Sequence, residues 1–526
     1  MASAQPRNET QEGVPEVRAF ITSLNLSVDE EAQVIEILEN SPEVASVFAN
    51  ESKKARSLPV LVYVSCKVAR VAFGTGVLLE KPLIEKAVAE SWSQTCWESP
   101  ACVIRPETST QVSQALKIVT FLRTPFAIRS GGHSPNPGWA GLQDGVLIDL
   151  TKLNKLSISK DYHTVSVGPG ARWGEVYQYL DPYNVTVIGG RVPQVGVGGL
   201  MLGGGISYFT GEYGLAIDNI VNIEVVLADG SIVNANPREH SDLFWALKGG
   251  GPNFGIVTRY DLRTVPIKDI WYQMTVYGPE KAPDLLDAFA AWQGSPDTKG
   301  SVAMIATLSS VIVGLVYIEP IESPKVFQPF YDIPRLATAV PSTIGTVLAL
   351  SQISGASASV SARHDYRAAS SKIDSELYRS VYEVWKNEAA TTNETTGANM
   401  TFVLQHIPKN VIDKGHQNGG NSLGLEPIAQ QWWTTLTDWD NPTHDDIVRG
   451  AAIAITQKWE ELGKARGSHL PFLYMNDASR DQNPLNTYTS ASLQRLNAVA
   501  KKYDPHRVFQ TLQNDGFLLS KASSGN

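Results

Sequence analysis

At 526 residues the chain is longer than one hydrophobic core ordinarily serves, so about two or three domains are expected. Hydrophobic residues make up 43% of it and no stretch is biased enough to be low-complexity, as in a globular protein. A formal charge of −9 excludes the basic footprint of a nucleic-acid binder.

Residues 1–57 form a polar extension with one clear helix signal. Ser27 and Asp29 precede Glu30 and Glu31 as caps, and Val34, Ile35, Ile37 and Leu38 recur at helical spacing. The first twenty residues lack the apolar centre of a secretory signal, which points to an intracellular chain in which Cys66, Cys96 and Cys102 are buried thiols. Residues 58–79 are the most apolar stretch, but Lys67 and Arg70 interrupt it and Gly74 and Gly76 break its end. A buried helix or strand is expected there, with no membrane partner.

From residue 98 strands and helices alternate. A strand over 101–106 ends at Pro106, and a helix over 108–122 carries Val112, Ala115, Leu116, Val119 and Leu122 on one face. Strands at 126–129, 145–150 and 164–170 and a helix at 173–180 continue a domain that ends near Pro266. Beyond it come strands at 271–277, 302–308, 311–317, 400–404 and 432–439, with helices at 282–292, 372–387 and 444–462. The fold class is α+β: an extension (1–57), a first domain (58–266), a second domain with an antiparallel sheet under helices (267–480) and a C-terminal segment (481–526).

Two glycine clusters carry the chemistry. The strand at 126–129 empties into Arg129, Ser130, Gly131, Gly132, His133 and Ser134, a turn whose backbone N–H groups can face an anion such as pyrophosphate. Arg129 would add positive charge and His133 a nucleophilic imidazole. The second cluster runs from Gly189 through Val195, Gly196, Gly198 and Gly199 to Gly203, Gly204 and Gly205, followed by Gly214-Leu215 and Asp218-Asn219. No Gly-x-Gly-x-x-Gly joins a strand to a helix and no lysine follows a glycine loop as in a nucleotide phosphate site. The nine histidines and three cysteines lack metal-site spacing, so no metal is expected.

In this order the motifs resemble those of the FAD-linked oxidases of the vanillyl-alcohol-oxidase superfamily, berberine-bridge-enzyme-like branch, over roughly four fifths of the chain from Cys102 on. The resemblance implies a two-domain FAD-binding fold and FAD bonded at its 8α carbon to His133. Arg129, Ser130, Gly131, Gly132 and Ser134 would meet the diphosphate. Gly196, Gly198, Gly199 and Gly203 would pass close to the flavin, and Ile256 and Val257 would contact its adenine or ribose end. Val192 stands where many relatives carry a second, cysteinyl bond, so a single attachment is implied. Val195 stands at the oxygen-gating position, where valine accompanies use of O2.

Near the C-terminus Tyr474, Asn476 and Asp477 resemble the segment that faces substrate in relatives. The family's glutamate base has no carboxylate counterpart here, Gln431 or Trp432 falling in its place. The base is then Asp477 or Tyr474, or none is needed. Secreted relatives tie the N-terminal segment down by a disulfide, which would pair Cys66 with Cys102. The terminal helix at 491–502 would return to the flavin domain.

The general style is that of fungal secondary-metabolism enzymes. It implies oxidation of a small organic substrate (alcohol, phenol or polyketide type) with O2 as acceptor and H2O2 as product. The alternatives are a non-redox flavoprotein isomerase or cyclase, a carbohydrate oxidase, and a silent binding protein.

Overall fold

The computed structural model describes residues 14–44, 54–80, 82, 84–356 and 362–522, so part of the polar extension lies outside the described residues. The first sheet has the order β1–β2–β4–β3, from β1 (Leu78–Leu79), β2 (Cys102–Ile104), β3 (Phe126–Arg129) and β4 (Val146–Asp149). β2 and β3 both run parallel to β4, and the helix Ser109–Phe121, capped by the Thr108 hydroxyl, makes the crossover between β2 and β3. Both faces are apolar because both are covered. Cys102, Ile104, Phe126, Val146 and Ile148 enter one core, and their neighbours Val103, Ala127 and Leu147 enter another.

A second, antiparallel sheet follows, in the order β5–β6–β10–β8–β9 with β7 against β10. It is built from β5 (Leu156–Ile158), β6 (Thr164–Val167), β7 (Thr186–Val187), β8 (Ile220–Val226), β9 (Ile232–Ala235) and β10 (Ile256–Val265). The C-terminal segment returns to the first sheet: the Phe126 N–H donates to the Leu512 carbonyl and the Asn514 N–H to the Phe126 carbonyl.

The third sheet has nine antiparallel strands, β11 (Asp269–Tyr277), β12 (Gly300–Ala306), β13 (Val311–Tyr317), β14 (Ala337–Thr346), β15 (Arg363–Ser371), β16 (Asn399–Met400), β17 (Phe402–Ile407), β18 (Gln430–Trp439) and β19 (His469–Leu470). Their order is β14–β11–β13–β12–β17–β18–β15–β19, with β16 beside β18. Alternation decides its two faces. Trp271, Ala369 and Trp433 pack under the helices Ala282–Gln293, Ser375–Thr396 and Asp445–Arg466, while Tyr272, Ala368 and Trp432 turn to the core of the second sheet.

Several strands fall outside the sequence expectations, the long β8, β10, β14 and β15 among them, and the last two run against the apolar pattern. β14 is an exposed edge of small and polar residues with Pro341 inside it. β15 carries charged residues at buried positions, and each finds a partner only in the fold: His364 with Asp438, Asp365 with Arg449 and Arg367 with Asp481.

In the N-terminal region Ser27 caps the helix Val28–Glu39 in a reciprocal capping box with Glu30, and Asp29 lies in the first turn. Val34 and Leu38 are buried while Ile35 is exposed. The apolar stretch forms the helix Lys54–Val77, bent at Gly74, where φ is 62°. Its segment Leu58–Val77 is long and apolar enough to cross a membrane by length and composition. Leu61, Val64 and Val68 are buried in the same core as β2 and β4, and Leu58 and Tyr63 are exposed.

The expectation of buried thiols fails at two of the three cysteines. Cys66 on this helix faces β2, its Cα 6.0 Å from that of Cys102, and a disulfide joins them; Cys96 is free and buried. The bridge closes a separation of 36 residues, so its removal releases chain entropy in the unfolded state. Replacing both cysteines by serine is expected to cost about 3–4 kcal/mol, read as a lower denaturation midpoint that reductant no longer shifts.

Candidate active site

The two glycine clusters meet back to back. A Cβ on Gly131 would lie 2.4 Å from the Gly196 Cα, and one on Gly196 would lie 2.5 Å from the Gly131 Cα. Gly132 completes the turn at a φ of 61°, which glycine adopts without strain. The Ser130 hydroxyl locks the pair: it donates to the Pro169 carbonyl at 2.5 Å and accepts from the Gly198 N–H at 3.2 Å. Gly199, by contrast, faces open space, with nothing within 4 Å of a Cβ built there. The loops therefore make a narrow backbone cradle beside an open volume.

Arg129 does not supply the cradle's charge. Its buried guanidinium pairs with Asp149 at 2.7 Å and donates to the Ala87 carbonyl, which ties β3 to β4 and to the short helix Ile84–Val88. The cation at the cradle is Arg172. Its Nη1 would be 3.6 Å from a Cβ on Gly131, and the same atom donates to the Gln194 carbonyl. Sequence reading had no signal for Arg172, because it precedes the helix Trp173–Leu180 and belongs to neither glycine cluster.

His133 leaves the turn and stacks on Trp92, ring centroids 4.2 Å apart. Burial lowers its pKa to about 4, and the charges of Arg172 and His364 push the same way. The imidazole is therefore neutral at pH 7 and has a nitrogen lone pair available for bonding. Ser134 accepts through its carbonyl from the Cys96 thiol and through its hydroxyl from the Asn136 N–H. Val195 is partly exposed at the cradle, its carbonyl accepting from the Trp173 N–H. Ile256 and Val257 point into two separate cores, which leaves only their backbone for a ligand.

The fold brings the C-terminal turn onto the same cradle. Asn476 packs on Gly203 and donates to the Leu200 carbonyl and to the Tyr474 hydroxyl. That hydroxyl also accepts from the Gly205 N–H at 2.8 Å, and burial pushes the phenol pKa well up. Asp477 accepts from the Gln405 amide at 2.6 Å, and Gln405 in turn accepts from Arg191. Burial raises the Asp477 carboxyl to about 6, although Gln405 and Arg191 both favour its charged form.

The third sheet forms the opposite wall. Trp432, not Gln431, takes the inward position on β18 and stacks on Tyr474 at 4.7 Å; Gln431 turns to the helices and accepts from Gln293. The same face of β18 does carry a carboxylate further along, Asp438, paired with His364 across the strands at 2.7 Å. Tyr366 lies between Trp92, Ser134 and Asp477. Trp92, Arg191, His364, Tyr366, Gln405 and Asp438 come from five separate segments, and of these only Arg191 lies within a sequence motif, the second glycine cluster. Among the described residues no cluster of histidine, cysteine or carboxylate groups could hold a metal.

Residues 100–236 match the model of an FAD binding domain. The fold matches that of BBE-like 1 of Physcomitrella patens with a TM-score of 0.68 at 21% identity, over 84% of this chain and 96% of that one. A protein named as an FAD-dependent monooxygenase of Arthrobotrys oligospora is 40% identical over 435 residues, covering 82% of this chain and 84% of its own. The chain belongs to the same family of FAD-linked oxidoreductases as this relative, and it has the fold of the BBE-like 1 structure.

Within that family the bifunctional solanapyrone synthase of Alternaria solani is 33% identical over 87% of this chain and 89% of its own. The cradle fits the family's cofactor on its own geometry: glycines that exclude side chains, open ground at Gly199, a cation at Arg172 and a neutral imidazole at the rim. Two glycine substitutions separate packing from ligand space. Gly131→Ala is expected to destabilise the protein by about 1–3 kcal/mol through overpacking. Gly199→Ala is expected to leave the denaturation midpoint unchanged while lowering flavin content, read as the ratio of flavin to protein absorbance.

Proposed function

We propose that this oxidoreductase oxidises a hydroxyl-bearing small molecule, such as an alcohol, a phenol or a polyketide-derived natural product, with O2 as electron acceptor and H2O2 as product. In this reading FAD is held by a single covalent bond from His133, since Val192 offers no thiol for a second. The proposed division is a flavin domain over 58–266 and a substrate domain over 267–480, with 481–526 returning to the first. The cradle and the inward face of the third sheet then enclose the substrate.

Asp477 carries the reading. A carboxylate with a pKa near 6, on the same turn as Tyr474 and against the glycine cradle, is a base matched to neutral pH. FAD, when bound, supplies the two-electron acceptor for a substrate hydride. The protein's part is the proton and the geometry. Asp477 removes the proton of the substrate hydroxyl, and Gln405, braced by Arg191, holds the carboxylate in orientation. Tyr474 is fixed by the Gly205 N–H, Asn476 and Trp432, so its phenol can position the substrate oxygen. Val195 at the cradle would leave a path for O2.

The name of the Arthrobotrys relative supports a second reading, insertion of oxygen into the product. Turnover under labelled O2 separates the two, because an oxidase places the label in H2O2 and a monooxygenase places it in product. An isomerase or cyclase would form product anaerobically without bleaching the flavin, and a sugar oxidase would release peroxide on a carbohydrate panel.

Asp477→Asn is expected to lower kcat/KM by roughly 10²–10⁴. The sign of the pH effect follows from the raised pKa: below about 6 the carboxyl is protonated and cannot act as base, so wild-type kcat/KM rises with pH through that value. The variant should lose this limb. His133→Ala should leave all flavin extractable by acid precipitation, whereas retention in the pellet would exclude the His133 linkage.

A further inference from the structure

The segment just before β2 lies over the His133 turn as a strap. The Trp92 N–H donates to the Gly132 carbonyl at 2.9 Å, the Cys96 thiol to the Ser134 carbonyl and the Thr95 hydroxyl to the Pro135 carbonyl. The strap is also stitched to the start of β15. The Gln94 N–H donates to the Ala362 carbonyl at 2.8 Å and the His364 N–H to the Ser93 hydroxyl at 2.9 Å. It thus joins the flavin loop to the third sheet.

At that junction three rings form a column. His133 lies on Trp92 with planes 14° apart, and Trp92 lies on His364 at 4.0 Å with planes 3° apart. Behind the column Asp438 holds His364 Nδ1, with both side chains almost fully buried. A loop histidine would ordinarily sample several ring orientations. Here one face is clamped by an indole whose other face is clamped in turn, and the last ring is pinned by a buried carboxylate.

We propose that Trp92, His364 and Asp438 are positioning residues that set the His133 imidazole for attachment to FAD. The inference rests on His133 being the attachment point. Attachment exchanges one imidazole N–H and one C–H of the 8α-methyl group for an N–C bond, and the two protons and two electrons released reduce O2 to H2O2. Trp92, His364 and Asp438 take no part in that exchange. They hold the ring plane so that the bonding nitrogen meets one carbon, where a small misorientation is costly in rate.

Acid precipitation of the full-length protein, with intact-mass analysis, tests this. Wild type should carry its flavin in the pellet with the mass raised by one FAD. Trp92→Ala and His364→Ala should bind flavin in similar total amount but release it into the supernatant, the attached fraction falling about tenfold. Trp92→Phe, which keeps a stacking ring, should restore attachment. A merely structural role would lower total and attached flavin together and would not separate them.

If Trp92→Ala folds poorly, His364→Asn keeps a polar partner for Asp438 without the ring and should show the same loss. Wild-type attachment in His364→Asn, or in a folded Trp92→Ala, overturns the proposal. Wild-type protein that releases all its flavin would instead overturn the His133 linkage, and this inference with it, before any variant is compared.

Discussion

The constraint on which the site depends is the contact between Gly131 and Gly196, two backbones with no room for a single methyl group. It brings together a turn leaving the first sheet and a loop that enters the core of the second, segments about sixty residues apart in the chain. Everything placed around the cofactor cradle follows from it. Ser130 locks the two loops, Arg172 brings its charge to them, and the short helix Val197–Gly203 receives the C-terminal turn through Asn476. The chain spends its conformational freedom there on backbone proximity, which only glycine permits.

The third sheet forms the wall opposite that cradle. Its alternation sends one set of side chains to the helices and the other toward the flavin-binding half. The second set is unusually polar for a sheet interior, with His364, Tyr366, Gln405 and Asp438 facing inward beside Trp432. Buried polar groups are costly unless paired. His364 pairs with Asp438 and Gln405 with Arg191 and Asp477, and the cost that remains at Asp477 appears as its raised pKa. A group whose charge is held back by burial is a base that works near neutral pH. The same burial keeps His133 uncharged, so one physical cause prepares two different groups.

The two glycine clusters, the histidine between them and the flavin-type domain they imply were legible in the residues, because glycine spacing reports a backbone requirement directly. So were most strands and helices of the second half, where apolar alternation is strong, and the Ser27 cap. β15 was not legible, since its charges contradict a buried strand until Asp438, Arg449 and Asp481 are placed beside them. Arg129 was misread for a related reason: a cation next to a glycine turn looks like an anion ligand until Asp149 appears on the neighbouring strand. The Cys66–Cys102 bridge was available only through resemblance to relatives, while the reading of the residues themselves pointed to free thiols.

By itself, the sequence determined the family, the two glycine motifs and the turn that bears Asp477, because each is written in contiguous residues. Only the tertiary structure decided which charges are spent inside the fold, which face of β18 looks inward, and that Trp92 stands between two histidines. Those outcomes depend on pairings across strands and between segments far apart in the chain, and such pairings leave no periodic or local trace.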